Sequence, residues 1–214
     1  MKTAELIEAL ARGPVAADAG APTRRLVAMV AAGVTVSAAA MLALLGPRAD
    51  LSAAVAQPMF WMKLAFPLLL ALPAFAAVAR LGRPGQSARK AWSMLVAALL
   101  LVEAAAIAIV LLAPAGDRAA IVTGRTALPC VFSIALLALP ILLATGAALR
   151  GMAPTRPRVA GLAAGLAAGA FAAAVYALHC DESTLPFLAV WYVLGMAIPG
   201  ALAAWAGPRL LRWA

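Results

Sequence analysis

Six apolar runs, each about 20 residues long, restrict how this chain can fold. They cover Leu26–Leu45, Pro58–Ala79, Ala91–Ala113, Leu128–Leu149, Val159–His179 and Pro186–Trp205. A helix needs about 20 apolar residues to cross the hydrocarbon core of a bilayer. Each run is therefore read as one membrane-spanning helix. A membrane β-barrel would alternate apolar and polar residues in shorter strands. Here the runs are uniformly apolar and rich in Ala and Leu. The composition agrees, with 66% hydrophobic and 12% charged residues, against about 45–50% and about 25% in soluble domains. The fold class is all-α: a polytopic membrane protein built as a six-transmembrane-helix bundle.

Loop charges set the expected orientation. Lys2, Arg12, Arg24 and Arg25 precede the first run. Arg80, Arg83, Arg89 and Lys90 lie between the second and third, and Arg150, Arg156 and Arg158 between the fourth and fifth. Arg209 and Arg212 follow the sixth. The opposite connections hold only Arg48, Arg118 and Arg125, with Lys63 at a helix end. Cytoplasmic loops carry the excess of Lys and Arg, so both termini are expected to be cytoplasmic. The same bias accounts for a net charge of +9 without a nucleic-acid surface, since no basic cluster with interleaved aromatics occurs.

The chain then divides into a cytoplasmic tail over 1–25, the transmembrane domain over 26–205 and a carboxy-terminal tail over 206–214. A secretory signal has an apolar core of only about 7–15 residues nearer the terminus, so the first run reads as a retained helix. Within the tail, Thr3 can cap a short amphipathic helix with Leu6, Ile7 and Leu10 on one face, ended by Gly13 and Pro14. Such a face either fluctuates on the lipid surface or docks in a partner's groove. In the second run Phe60 and Trp61 sit at the interface, Lys63 can snorkel outward, and Pro67 and Pro73 are expected to kink the helix. In the fifth, Gly161, Gly165 and Gly169 form a small-residue stripe suited to close helix packing.

A polar island from Tyr176 to Tyr192 separates the last two runs. It holds His179, the one histidine in the chain, together with Cys180, Asp181 and Glu182. The other cysteine, Cys130, opens the fourth run and falls on the same side of the membrane. Three readings are open. The thiols form a disulfide, bind a transient soft metal ion with His179, Asp181 and Glu182 as further donors, or pack as small hydrophobes. No Cys-x-x-Cys motif occurs, and the paired spacing of a structural zinc site is missing.

Glu103 lies near the middle of the third run. A mid-membrane acid is costly and marks a functional site by default. It supports a small ion- or proton-coupled transporter, or else is protonated or hydrogen-bonded within the bundle. Lys63 is its nearest candidate partner. No nucleophile–base arrangement is visible, so the chain is not read as an enzyme, and no resident cofactor is expected.

Several segments together resemble the NrsF-like family of bacterial anti-sigma factors. They are the TAELIEALA segment from Thr3, FWMKL from Phe60, Cys130, and PIL from Pro140. To these add APTRP from Ala153, AGLAAG from Ala160, YALHCDE from Tyr176 and WYVLG from Trp191. Ala4 stands before Glu5 where members often carry adjacent acids. The resemblance spans nearly the whole chain. It implies a six-helix protein of the bacterial inner membrane that holds an extracytoplasmic-function sigma factor away from RNA polymerase. It implies further that Cys130 and Cys180 sense metal or oxidative stress, and that Leu6, Ile7 and Leu10 contact the sigma factor.

Overall fold

The computed structural model of the protein describes residues 3–11 and 20–211. Among these residues every regular element is a helix, with no strand. The amino-terminal segment forms α1 (Thr3–Ala11) and is followed by α2 (Ala21–Leu44), α3 (Leu51–Ala54) and α4 (Pro58–Leu81). Then come α5 (Arg89–Leu112), α6 (Arg118–Thr123), α7 (Ala127–Arg150) and α8 (Pro157–Tyr176). The last, α9 (Leu185–Leu210), carries a π-helical turn at Leu188–Tyr192. Six helices, α2, α4, α5, α7, α8 and α9, are long and apolar enough to cross a membrane. The expected six-helix bundle is what forms.

The ends of these helices follow local chemistry. Pro22, Pro58 and Pro157 sit in the first turns of α2, α4 and α8, where a missing N–H breaks no helix bond. That lets α2 begin at Ala21, ahead of the apolar run itself. It ends at Leu44, and Gly46 just beyond, whose φ of +74° suits a glycine, turns the chain away. α8 stops at Tyr176, three residues short of the expected His179. There the N–H groups of His179 and Cys180 both bond to the Tyr176 carbonyl, at 2.9 and 3.1 Å, and close a tight turn. α4 runs through Pro67 and Pro73 as one helix, so neither proline breaks it.

Packing centres on α8. In its most apolar stretch 78% of the residues are buried, against 11% for α5, which lies at the edge of the bundle. Gly161, Gly165 and Gly169 bring α8 against α9. A methyl group on Gly165 would collide with the Pro199 carbonyl, and one on Gly169 would come within 2.7 Å of the Met196 Cα. The stripe thus works as a helix-packing face, as its spacing suggests. Gly33 plays the same part between α2 and α7, where a Cβ would meet the Ile141 backbone.

One end of the bundle gathers arginines. Arg83 donates to Thr23 Oγ1 at 2.6 Å, the Ala153 N–H to the Gly82 carbonyl at 2.9 Å, and Arg150 Nε to the Leu210 carbonyl at 3.1 Å. These bonds tie the start of α2, the α4–α5 and α7–α8 connections and the end of α9 into one surface. The opposite end carries the cysteines.

Candidate functional site

Cys130 lies in the first turn of α7 and Cys180 in the chain between α8 and α9. The tight turn after Tyr176 carries Cys180 back over the bundle. Both thiols are free and buried, with their sulfurs 3.7 Å apart. Two hydroxyls face Cys130: Tyr176 Oη donates to its Sγ at 3.4 Å, and Thr126 Oγ1 lies 3.5 Å away. The two sequence-expected sensor residues therefore meet directly. A disulfide needs a separation of about 2.0 Å, so closure brings the sulfurs about 1.7 Å closer.

Lys63 sits under the same site. It is fully buried, and its Nζ donates to the carbonyls of Cys180 and Glu182, each at 2.6 Å. Its remaining face lies 5.7 Å from the centre of the Tyr192 ring, where a cation is attracted by the ring's electrons. Two of the ammonium's three donors thus find carbonyl acceptors, and its third face meets an aromatic ring. This corrects two expectations. Lys63 does not snorkel to water, and it does not pair with Glu103. Burial pays a desolvation penalty that only such a cage offsets. The hydrogen bond with Cys130 and then the Lys63 charge draw the Cys180 thiol below its ordinary range, against the opposing effect of burial.

The rest of the island is held from several sides. His179 Nδ1 lies 2.8 Å from the Gly46 carbonyl, and the Arg48 N–H donates to the Leu178 carbonyl at 3.1 Å. Glu182 accepts the Arg125 N–H at 2.7 Å, while the Arg125 side chain meets Asp181 at 3.2 Å. Thr184 Oγ1 and Trp191 Nε1 donate to the Ile121 and Val122 carbonyls of α6. His179 is thus engaged with the α2–α3 connection. Among the described residues no three His, Cys, Asp or Glu side chains converge on one point that could hold a metal. The thiol pair comes together without the third donor expected for a metal.

Glu103 is half-buried on α5, in an apolar recess with Ala106, Val110, Val122 and Pro186. No hydrogen bond or ion pair reaches it from the described residues. In α1, Ile7 is exposed. The side chains of Leu6 and Leu10, and Gly13 and Pro14, lie outside the described residues. At the arginine-rich end a cleft of about 490 Å³ is lined by Arg83, Gln86, Arg89, Trp92 and Arg156.

The family described as NrsF, negative regulator of sigma F, matches residues 10–213. The chain belongs to the NrsF family. Over the full length of both chains it is 42% identical to a protein of Azospira oryzae named probable anti-sigma-F factor NrsF. It is 41% identical to the anti-sigma-F factor NrsF of Caulobacter vibrioides, again over the whole of both chains. No solved structure matches. For this NrsF-family chain, sequence reading found both thiols but missed their surroundings. The signal was available: the chain has two tyrosines, Tyr176 and Tyr192, and both flank the cysteine pair.

Proposed function

We propose that this protein is a membrane-bound anti-sigma factor that holds an extracytoplasmic-function sigma factor at the cytoplasmic face of the inner membrane. It releases the factor when Cys130 and Cys180 react. The observation that carries this reading is identity over the full length of two relatives named as anti-sigma-F factors. The arginine-rich end faces the cytoplasm under the positive-inside rule. The sigma factor docks there on α1, through Leu6, Ile7 and Leu10, and on the connections that line the basic cleft. An acidic stretch of the partner suits Arg83, Arg89 and Arg156, and Trp92 offers an apolar anchor.

The signal enters at the cysteine end. Joining Cys130 to Cys180 shifts the start of α7 against the end of α8. The two helices are connected at the opposite end by 151–156, which is bonded to Gly82 through Ala153. A small displacement there changes the docking surface. A coupling of about 1–3 kcal/mol changes affinity about 5–150-fold, which suffices for a switch.

The test is a reporter driven by the partner sigma factor. Deleting residues 1–20 is expected to raise basal output to the level of a strain lacking the protein. Cys130→Ser and Cys180→Ser, each alone, are expected to abolish induction by oxidants or thiol-reactive metals. Induction that survives in both single mutants defeats the thiol switch. Basal output unchanged by deleting the whole gene defeats sequestration.

A further inference from the structure

The two thiols are not equivalent. Cys180 lines a cleft of about 360 Å³ that opens at the cysteine end of the bundle between Arg48, Asp50, His179 and Asp181. Thr126 and Tyr176 also line this cleft, and Cys130 lies fully buried behind them, bonded to both, without reaching the cleft itself. The chain from Cys180 onward is fixed by Lys63, through the Cys180 and Glu182 carbonyls. A nucleophilic thiol needs access and a nearby positive charge. Cys180 borders the cleft and has Lys63 Nζ 2.6 Å from its own carbonyl, whereas Cys130 has helix α7 at its back and its partner in front.

We propose that the thiols react in a fixed order, Cys180 attacking and Cys130 resolving, with Lys63 the positioning residue that holds Cys180 at the cleft. The inference rests on the reading that these thiols carry the signal. With a small-molecule disulfide as oxidant, the Cys180 thiolate attacks one of its sulfurs. A mixed disulfide forms and one reagent thiolate leaves. The Cys130 thiolate then attacks the Cys180 sulfur, forms the Cys130–Cys180 bond and expels the second reagent thiolate. The protein loses two electrons, the reagent gains them, and the two thiol protons pass to the released thiolates. Tyr192 closes the floor of the site: its hydroxyl is buried without a hydrogen-bond partner among the described residues, beside the cation that its ring meets.

The experiment uses the full-length protein in mild detergent with bis(2-hydroxyethyl) disulfide, a neutral reagent that no surface charge concentrates. Samples are acid-quenched over time, and adducts are mapped by peptide mass spectrometry. In the unaltered protein the first adduct is expected on Cys180, followed by the internal disulfide. Cys130→Ser is expected to stop at a stable Cys180 adduct. In Cys180→Ser, adduct formation on Cys130 is expected to be slower by about tenfold or more, the effect of losing both access and a nearby charge. Early adducts on Cys130 in the unaltered protein, or equal rates on the two thiols, overturn the order. Those outcomes need no substituted protein, so misfolding cannot hide them.

Lys63→Gln keeps a donor for the carbonyls but loses the charge, and Lys63→Arg keeps the charge. First-step rates are expected to fall about tenfold in Lys63→Gln and to be restored in Lys63→Arg. A Lys63→Gln protein that elutes as the unaltered one and reacts at its rate makes Lys63 purely structural. If Lys63→Gln fails to fold, a Lys63→Arg protein with slowed Cys180 chemistry overturns the role. One with unaltered chemistry supports it. The readout is independent of sigma binding. A sigma factor that is never retained defeats the proposed function and leaves this thiol order standing or falling by itself.

Discussion

Gly165 on α8 lies directly against the carbonyl of Pro199 on α9, with no room for a methyl group between them. The contact brings two backbones together at the centre of the bundle. In lipid, helices gain little from burying apolar surface against each other, and close backbone approach supplies the packing instead. Gly165→Ala is expected to lower stability by about 1–3 kcal/mol, the usual range for overpacking a filled interior. Gly165→Leu is expected to disrupt the fold. Thermal unfolding in detergent, followed by loss of the monodisperse peak, measures both. By contrast, Gly146→Ala, at a position with open space around its Cβ, is expected to leave the transition unchanged.

The thiol pair yields a second expectation. With sulfurs 3.7 Å apart, mild oxidation of the purified protein is expected to form one intramolecular Cys130–Cys180 disulfide, seen as a single band that shifts on a non-reducing gel. Mass spectrometry should find the two peptides linked. Intermolecular dimers as the main product would mean that the two thiols do not meet.

The two tyrosines at the site differ in a way that mutation can read. Tyr176 donates its hydroxyl to Cys130, whereas the Tyr192 hydroxyl has no partner among the described residues. Tyr176→Phe is expected to cost about 0.5–1.5 kcal/mol, the net worth of a hydrogen bond. Tyr192→Phe is expected to cost less than Tyr176→Phe, because the Tyr192 hydroxyl makes no well-formed hydrogen bond. Equal losses in the two variants would contradict this assignment.

Much of the architecture was legible because membrane helices declare themselves by length and polarity. The runs around Ala91–Ala113 and Leu128–Leu149 needed no tertiary context. The juxtaposition of Cys130 with Cys180 was readable only as a shared depth. Their contact depends on the turn after Tyr176, which hydropathy cannot see. Lys63 was the main misreading. A lysine near the end of an apolar run ordinarily reaches for water. Here backbone carbonyls at residues 180 and 182 cap it inside the protein, and carbonyls carry no signature in side-chain patterns. The partner of His179 was hidden for a similar reason, since it is the Gly46 carbonyl.

Glu103 separates the regulatory reading from a transport one. It lies on α5, the least buried of the six long helices, away from the thiol site. Glu103→Gln is expected to leave sigma control intact and to leave stability equal or higher, since a carboxyl group at that depth is unfavourable. Both follow from the reporter strain and a thermal shift assay. Loss of an ion or proton flux in that variant, with sigma control untouched by deleting residues 1–20, would favour the transporter.

Co-purification with the sigma factor is the most direct measurement. The full-length protein and the sigma factor are co-expressed, extracted in mild detergent under reducing conditions, and then oxidised on the affinity resin. The sigma factor is expected to remain bound while the thiols are reduced and to elute once Cys130 and Cys180 are joined. It is expected to stay bound under oxidation in Cys130→Ser and Cys180→Ser. A protein that is folded and reduced yet never retains the sigma factor would contradict the anti-sigma reading itself. One that retains it equally before and after the disulfide forms would contradict the switch.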